Sequence, residues 1–419
     1  MKNQILILLA LIAISLTCNS QSQRELYNQS TEAYKAKDYP QFLKLTQHLD
    51  SIRPLHPTYT YNLSVAYALN NDTGKAVSVL KKLVLMNNKI DFEKDADFDN
   101  IRHSAEFDKT LKLKAVLDKP IINSEKVISL SEKDLHPESL IYLEKQKIWL
   151  ASSIRKKKIV SFDLKTGKCS DWFTESNFSV FAMKADKNEN SLWVTTAAMP
   201  EMLGFSKEME GKSEILKIDL KTRKISKRYP IDGNHVFGDL LLDEKGDVYV
   251  SDSGDAIVYK ISNDTVSVWL DLKSEAFNLQ GITFNDDKSK LFVADYLKGI
   301  LVIEVKNPQN RKWLEFPKNA TQKGIDGLVF HDNSLLAIHN GVKPIRVMQY
   351  LMNENQDIIE EVKIIDINQP EFDEPALATV IKGKLYFFAN SPWKAYNKTF
   401  ELDMTKFEAP ILYHYDILK

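Results

Sequence analysis

The chain of 419 residues is long for a single hydrophobic core, so two folding units are expected. With 43% hydrophobic and 27% charged residues it has the make-up of a soluble globular protein, neither disordered nor embedded in a membrane. The 56 basic residues are matched by 57 acidic ones, which leaves no basic field and argues against nucleic acid as a partner.

Lys2 is followed by an uncharged apolar run from Ile5 to Leu16. That run is short for a bilayer span and right for the core of a signal peptide, so residues 1–20 read as an export signal with no transmembrane span left in the mature chain. Two readings of the adjoining SLTCNSQSQ stay open. Cys18 can be the lipid-attachment residue of a bacterial lipoprotein, although Ser15, Leu16 and Thr17 depart from a good lipobox; or cleavage falls after Ser20. Both make the protein exported: periplasmic, secreted or lipid-anchored to the bacterial envelope. Cys169 is then the remaining cysteine, so no internal disulfide is expected and it reads as an ordinary structural residue.

Residues 21–118 carry a helical period with almost no β-branched runs. Leu26, Ala33, Ala36, Tyr39, Phe42 and Pro54 are spaced as in a tetratricopeptide repeat, with Asp38 where Gly is usual, and Leu63, Ser64, Tyr67, Ala76 and Leu80 repeat the pattern. Small residues at the helix crossing with large ones around it are what such packing requires. This TPR-like domain resembles peptide-binding repeats, and its Tyr and Leu residues could line a groove for a peptide or protein partner. Core packing is the simpler reading of the same residues. Lys119, Pro120 and Asn123 mark the joint between this helical part and a strand-rich one.

From 124 to 419 the pattern turns to short strands. VFGDLLLDEKGDVYVSD (236–252) reads as a β-hairpin: an apolar strand, a D-E-K-G-D turn and a second apolar strand. Similar units are centred on Leu140, Met183, Leu240, Ile282, Leu328 and Leu377, spaced 43, 57, 42, 46 and 49 residues apart. A hairpin-containing unit repeated six times at this period predicts a mainly β chain: a six-bladed β-propeller preceded by the α-helical domain. The last unit runs out one strand short at ILYHYDILK, so Val127 to Leu130 is expected to complete the sixth blade and close the ring. An insertion in the second blade, 199–212, reads as a flap over one face. The run Arg155 to Lys158 reads as a hairpin tip in water.

In a propeller, residues just before each first strand and just after each second strand converge at one mouth of the channel. The former are Glu138, Gly238 with Asp239, Gln280, Asp326 and Glu374. The latter are Ser152 and Ser153, Thr195 and Thr196, Asp252 and Ser253, Asp295, His339 and Asn340, and Asn390 and Ser391. Carboxylates and amides gathered at one point suit a hard cation. Each also has a plainer reading: Asp326 before Gly327 can cap a turn, Asp252 and Asp295 can tie neighbouring blades together, and His339 can be a satisfied buried histidine. No phosphate loop, nucleophile elbow, H-E-x-x-H helix or C-x-x-C pair occurs.

From about Pro137 onward these residues resemble the SMP-30/gluconolactonase family and the broader strictosidine-synthase-like group. The resemblance implies one divalent metal ion, Ca²⁺ or Zn²⁺, held by Glu138 in PES, Gln280 in LQGITF and Asp326 in IDGLVF. Gln280 stands where the family has Asn, with Asn278 as a substitute, and Gly238-Asp239 stands where the family has an Asn-Asp pair. Asp326 and Asp239 are the implied catalytic candidates. Asp239, His339, Asn340 and Asn390 are the candidates for contact with a small-molecule ester or lactone. The expectation is thus an exported metal-dependent hydrolase. The alternative is a non-catalytic envelope binding or scaffold protein that holds a ligand at the propeller mouth or a protein partner on the helical repeats.

Overall fold

The computed structural model describes residues 22–417; the expected export signal at 1–20, with Cys18, lies outside the described residues. Two compact units are resolved. One holds the chain up to Leu83 together with Asp91–Leu111, and the other holds Val84–Ile90 with the chain from Lys112 onward. Among the described residues no helix is long and apolar enough to cross a membrane.

The first unit is built from helices α1 (Gln23–Lys35), α2 (Tyr39–Ile52), α3 (Pro57–Leu69) and α4 (Thr73–Met86), the last running on into the second unit. Capping residues set their starts: the Ser22 side chain accepts from Glu25 N–H and the Asp38 side chain from Gln41 N–H, while Pro57 opens α3. Asp38, where a repeat would have Gly, is therefore a helix cap. Leu26, Ala33, Phe42, Leu49, Leu63, Ala66 and Ala76 recur at helical spacing and are buried. Beyond Asp91, the buried rings of Phe92, Phe98 and Phe107 meet pairwise at centroid distances of 5.6–6.4 Å.

The second unit contains six antiparallel sheets, the six blades of a β-propeller. Their innermost strands are Leu140–Leu143, Ser179–Ala185, Phe237–Leu242, Leu279–Phe284, Ile325–His331 and Ala378–Ile381. The second strands, ending back at the same face, are Ile148–Ser153, Ser191–Ala197, Val248–Asp252, Lys290–Asp295, Ser334–His339 and Lys384–Phe388. Blades 1 to 4 are each made from a continuous stretch of chain, as are the first four strands of blade 5. Blade 5 also takes Ile121–Ile122, which pairs with Ile367 and Asp366. Blade 6 takes its outermost strand, Glu125–Ser129, from before blade 1, in register from Glu125 opposite His414 to Ser129 opposite Ile411. The ring closes as the strand count requires, and Glu125–Ser129 covers the edge that Ile411–Asp416 would otherwise present. Apolar clusters fill the spaces between blades. One joins Leu130, Leu135, Leu140, Trp149 and Val160 to Phe388 and Leu412, across the closure itself. Replacing Leu130, which is 1% exposed, by Ala is expected to destabilise the fold by about 2–5 kcal/mol, read as a lower urea midpoint with an unchanged slope.

The tip at 155–158 departs from the expectation of a solvated charge run. The Arg155, Lys156 and Lys158 side chains are 18%, 23% and 13% exposed, and they pair with Asp134, Glu132 and Asp171. Acidic residues ahead of blade 1 fold over the tip and supply partners that a local reading of the run does not reveal. The 199–212 segment also packs down: Glu201 and Met202 are buried and Leu203 N–H donates to Arg155 O at 2.8 Å.

Candidate functional site

The innermost strands share a local irregularity. In blades 2, 3, 4 and 5 the pairing with the second strand shifts between Val180 and Met183, Phe237 and Leu240, Leu279 and Ile282, and Ile325 and Leu328. A bulge adds a residue on one strand and re-aims its side chains. The residues inside the four bulges are Phe181-Ala182, Gly238-Asp239, Gln280-Gly281 and Asp326-Gly327. Glu138-Ser139 holds the matching position before Leu140 in blade 1, where Ser152 Oγ accepts from both Glu138 N–H and Ser139 N–H. The glycines at 281 and 327 answer a steric demand. A Cβ on Gly281 would lie 2.5 Å from Asp326 O, and one on Gly327 would lie 2.3 Å from Ala376 O. Each inner strand thus touches the backbone of the next blade, and only a residue without Cβ permits it.

This geometry gathers four carboxylates from four blades: Glu138, Asp239, Asp326 and Glu374. Asp326 is pushed up to about 7, by burial first and then by the charges of Glu374 and Asp239; a hydrogen bond from Asn340 Nδ2 to Asp326 Oδ2 works against the rise. Glu138 is raised well above the usual carboxylate range by burial, then by Asp326, Glu374 and Asp239. Its Oε2 is sealed from solvent and has no hydrogen-bond partner. Burial also raises Asp239 and Glu374, opposed by Lys184 and Lys394 respectively. Tyr296 completes one wall, its hydroxyl donating to Asn340 Oδ1 at 2.9 Å, and burial followed by Asp326 and Glu374 raises its phenol. Like charges held this close in a poorly solvated space are the usual origin of carboxyl groups that titrate near neutrality.

Most of the expected site residues also have backbone or side-chain partners of their own. Asp239 is 3% exposed, with Oδ1 accepting from Leu240 N–H and Oδ2 from Ile282 N–H, so it ties blade 3 to blade 4 and acts on Asp326 through its charge. Gln280 directs its amide nitrogen to Asn278 Oδ1, and Asn278 donates to Ser253 O. Asn340 adjoins Asp326. His339 is fully buried, with Nδ1 on Lys323 O at 2.9 Å and Nε2 on the Tyr350 hydroxyl at 2.8 Å; burial lowers it to about 3 and keeps it neutral. Asn390 is held by the sixth blade, donating to Ala409 O and accepting from Ile411 N–H. Asp252 and Asp295 have the structural role: Asp252 binds His235, Val236 N–H and Gly254 N–H, and Asp295 accepts from the backbone of Phe277, Asn278, Leu297 and Lys298.

Whether these residues suit a divalent ion can be judged from the donors. All are oxygens, and Glu138 Oε2 lacks a partner among carboxylates that raise one another, a condition a cation relieves. Among the described residues, however, no group of three or more His, Cys, Asp or Glu is arranged to hold an ion. The donor chemistry is that which a hard cation takes, and it does not fit a tight imidazole or thiolate centre.

The fold and this mouth define a six-bladed propeller with an acidic axial site. No family model matches the chain and no curated protein matches it. Solved structures similar to it include the PQQ-bound aldose sugar dehydrogenase of Streptomyces coelicolor, at 10% identity and TM-score 0.47 over 71% of this chain and 99% of that one. A luciferin-regenerating enzyme matches at 11% identity and TM-score 0.49, over 71% of this chain and 95% of that one. A streptogramin B lyase matches at 16% and 0.46, over 70% and 96%. The strand pairings themselves establish the fold, and no activity passes from those proteins to this chain.

Proposed function

We propose that the chain is an exported hydrolase of a lactone or similar ester, acting at the axial carboxylates with one divalent cation. The observation that carries this reading is the company of Glu138: a buried carboxyl with an unpartnered oxygen, set among Asp326, Glu374 and Asp239. Glu138, Asp326 and the amide oxygen of Gln280 would hold the ion, Ca²⁺ fitting the all-oxygen donors better than Zn²⁺. Bound there, such an ion polarises an ester carbonyl and lowers the pKa of bound water. The chain's own groups supply the proton handling. Asp326, with one carboxylate oxygen left to the water, can take a proton from an attacking water and return it to the leaving oxygen. Asn340 orients its carboxyl through Oδ2, and Tyr296 fixes Asn340 in turn. The SMP-30-like resemblance of PES, LQGITF and IDGLVF is in keeping with this assignment.

The test is direct. The mature chain is stripped with chelator, and Ca²⁺ uptake and turnover of a panel of lactones and aryl esters are measured. Expected are metal-dependent turnover and a Ca²⁺-induced rise in melting temperature that is larger at pH 8 than at pH 5, because protons and cation compete for the same carboxylates. Glu138→Gln should abolish that rise. A fold that stays intact with no uptake and no turnover would instead support a non-catalytic envelope binding protein. That second reading draws on the absence, among the described residues, of a three-acid ion site, and on the engagement of the Gln280 amide by Asn278. In it the TPR-like helices would hold a protein or peptide partner.

A further inference from the structure

Beside the axial acids, four loops of the same unit bring together a second set of polar groups that the axial reaction does not use. His136, just ahead of blade 1, is fully buried in a left-handed backbone conformation, φ 52°, and its carbonyl accepts from Ile154 N–H at 3.0 Å. Its ring stands edge-on to Trp393 at 4.5 Å. Its Nδ1 lies 2.9 Å from the Tyr396 hydroxyl, and its Nε2 is buried with no partner. Arg155 hydrogen-bonds the same hydroxyl, while its buried Nε has no hydrogen-bond partner and lies 3.7 Å from Asp134 Oδ2. Glu201, from the 199–212 segment, is 9% exposed, and its Oε2 is also buried without a partner. The Tyr396 phenol feels the charges of Arg155, Glu201 and Asp134, which places all of them around it.

Hydrogen-bond roles are dictated by this arrangement. An arginine can only donate, so the Tyr396 oxygen accepts from Arg155 and its own hydrogen goes to His136 Nδ1. Nε2 of His136 then carries hydrogen, on the ring edge turned away from that hydroxyl, and has no hydrogen-bond partner. Two N–H donors without a hydrogen-bond partner, one on this imidazole and one on a guanidinium ion-paired with Asp134, therefore belong to the two residues that flank the Tyr396 hydroxyl. Burial pushes the Glu201 carboxyl upward, toward the form that offers a third hydrogen. A buried donor without an acceptor is costly, and three orphaned polar groups in one place are uncommon in a folded core. Walls of Ile154, Phe181, Ala197, Met199 and Trp393 would exclude water from whatever answers them.

We propose that His136, Arg155, Tyr396 and Glu201 form a second recess, beneath the 199–212 segment, that binds the carboxylate group of a small organic acid. The planar carboxylate takes hydrogens from Arg155 Nε and His136 Nε2 on its two oxygens, and the apolar wall receives its carbon chain. The site is distinct from the axial acids, which repel such a ligand.

Titration calorimetry of the mature chain with 4-hydroxybutyrate, acetate and, as a control, chloride tests this. Expected is saturable binding of 4-hydroxybutyrate, tighter than acetate, with no competition from chloride. Arg155→Gln should weaken it about tenfold or more, and His136→Gln should weaken it similarly. Should His136→Gln fail to fold, Tyr396→Phe, which keeps the ring and loses the hydroxyl that orients both donors, must give the same loss. Asp326→Asn should keep the binding, which separates this site from the axial reaction. No binding up to about 50 mM, or binding unchanged in Arg155→Gln and Tyr396→Phe, would mean that the recess holds water alone and would overturn the proposal.

Discussion

Asp326→Asn is expected to make the protein more stable at pH 8 while removing its turnover. The carboxyl of Asp326 is pushed up to about 7 in the folded chain, whereas an unfolded Asp titrates at about 3.9. The folded state therefore holds this proton more tightly, and between those values it binds more protons than the unfolded chain. Stability attributable to Asp326 falls as pH rises across that window, and above it the full cost of the buried charge remains. An amide carries no charge, so the variant should gain on the order of 1–3 kcal/mol at pH 8 without cation and nothing below about pH 4. For a domain of this size that is a rise of a few degrees in melting temperature. The amide cannot accept a proton at neutral pH, so turnover should fall by roughly 10²–10⁴. Thermal melts at pH 5 and pH 8, run beside the ester assay, measure both. A variant less stable than the parent at pH 8 would contradict the repulsion among the four acids. Retained turnover would remove Asp326 from the reaction.

Gly327→Ala should have the opposite effect on stability and the same effect on activity. The added Cβ would lie 2.3 Å from Ala376 O, and its obstacle is backbone belonging to the next blade, which cannot swing aside. Relief requires blades 5 and 6 to part, and Asp326, the adjoining residue, moves with the strand. A loss of about 3 kcal/mol or more is expected. The effect is steric and owes nothing to an unusual backbone angle, since Gly327 is not among the glycines of positive φ. Gly74→Ala, where the nearest atom to the new Cβ is 4.0 Å away, serves as control and should be neutral or slightly stabilising. Equal melting temperatures for the two variants would show that the blades are not in such close contact.

The propeller was legible because an apolar hairpin recurs six times at spacings of 42–57 residues, and such a unit must bury itself against its neighbours. The anchors Leu140, Met183, Leu240, Ile282 and Leu328 all lie on innermost strands, and Leu377 immediately precedes one. The missing strand of blade 6 could be inferred from a count alone. The bulges could not, since a pairing shift depends on the partner strand; yet the Gly in LQG and IDG was their trace, left by the contact with the next blade. Of the candidate site residues, Glu138, Asp239 and Asp326 do share one electrostatic environment, and Glu374, nominated by its place before a strand, joins them. His339 and Asn390 were nominated by the same rule, but tertiary partners at Lys323, Tyr350, Ala409 and Ile411 engage them. His136, Arg155 and Glu201 had no sequence mark. A histidine in a loop before Pro137 carries no period, and Arg155 was hidden in a run of charges that looked solvated.

The pairing of Glu125 with His414 has a bearing on how the chain comes to be folded at all. About 290 residues separate the two partners, so at synthesis rates of roughly 5–20 residues per second the early strand waits on the order of 15–60 seconds for its mate. Throughout that interval the nascent protein exposes a sheet margin at each end of an open arc, a form prone to clumping with its own kind. Contacts so remote in sequence also slow the search for the native arrangement. Refolding should therefore be late, highly cooperative and sensitive to protein concentration, with the final clasp forming last.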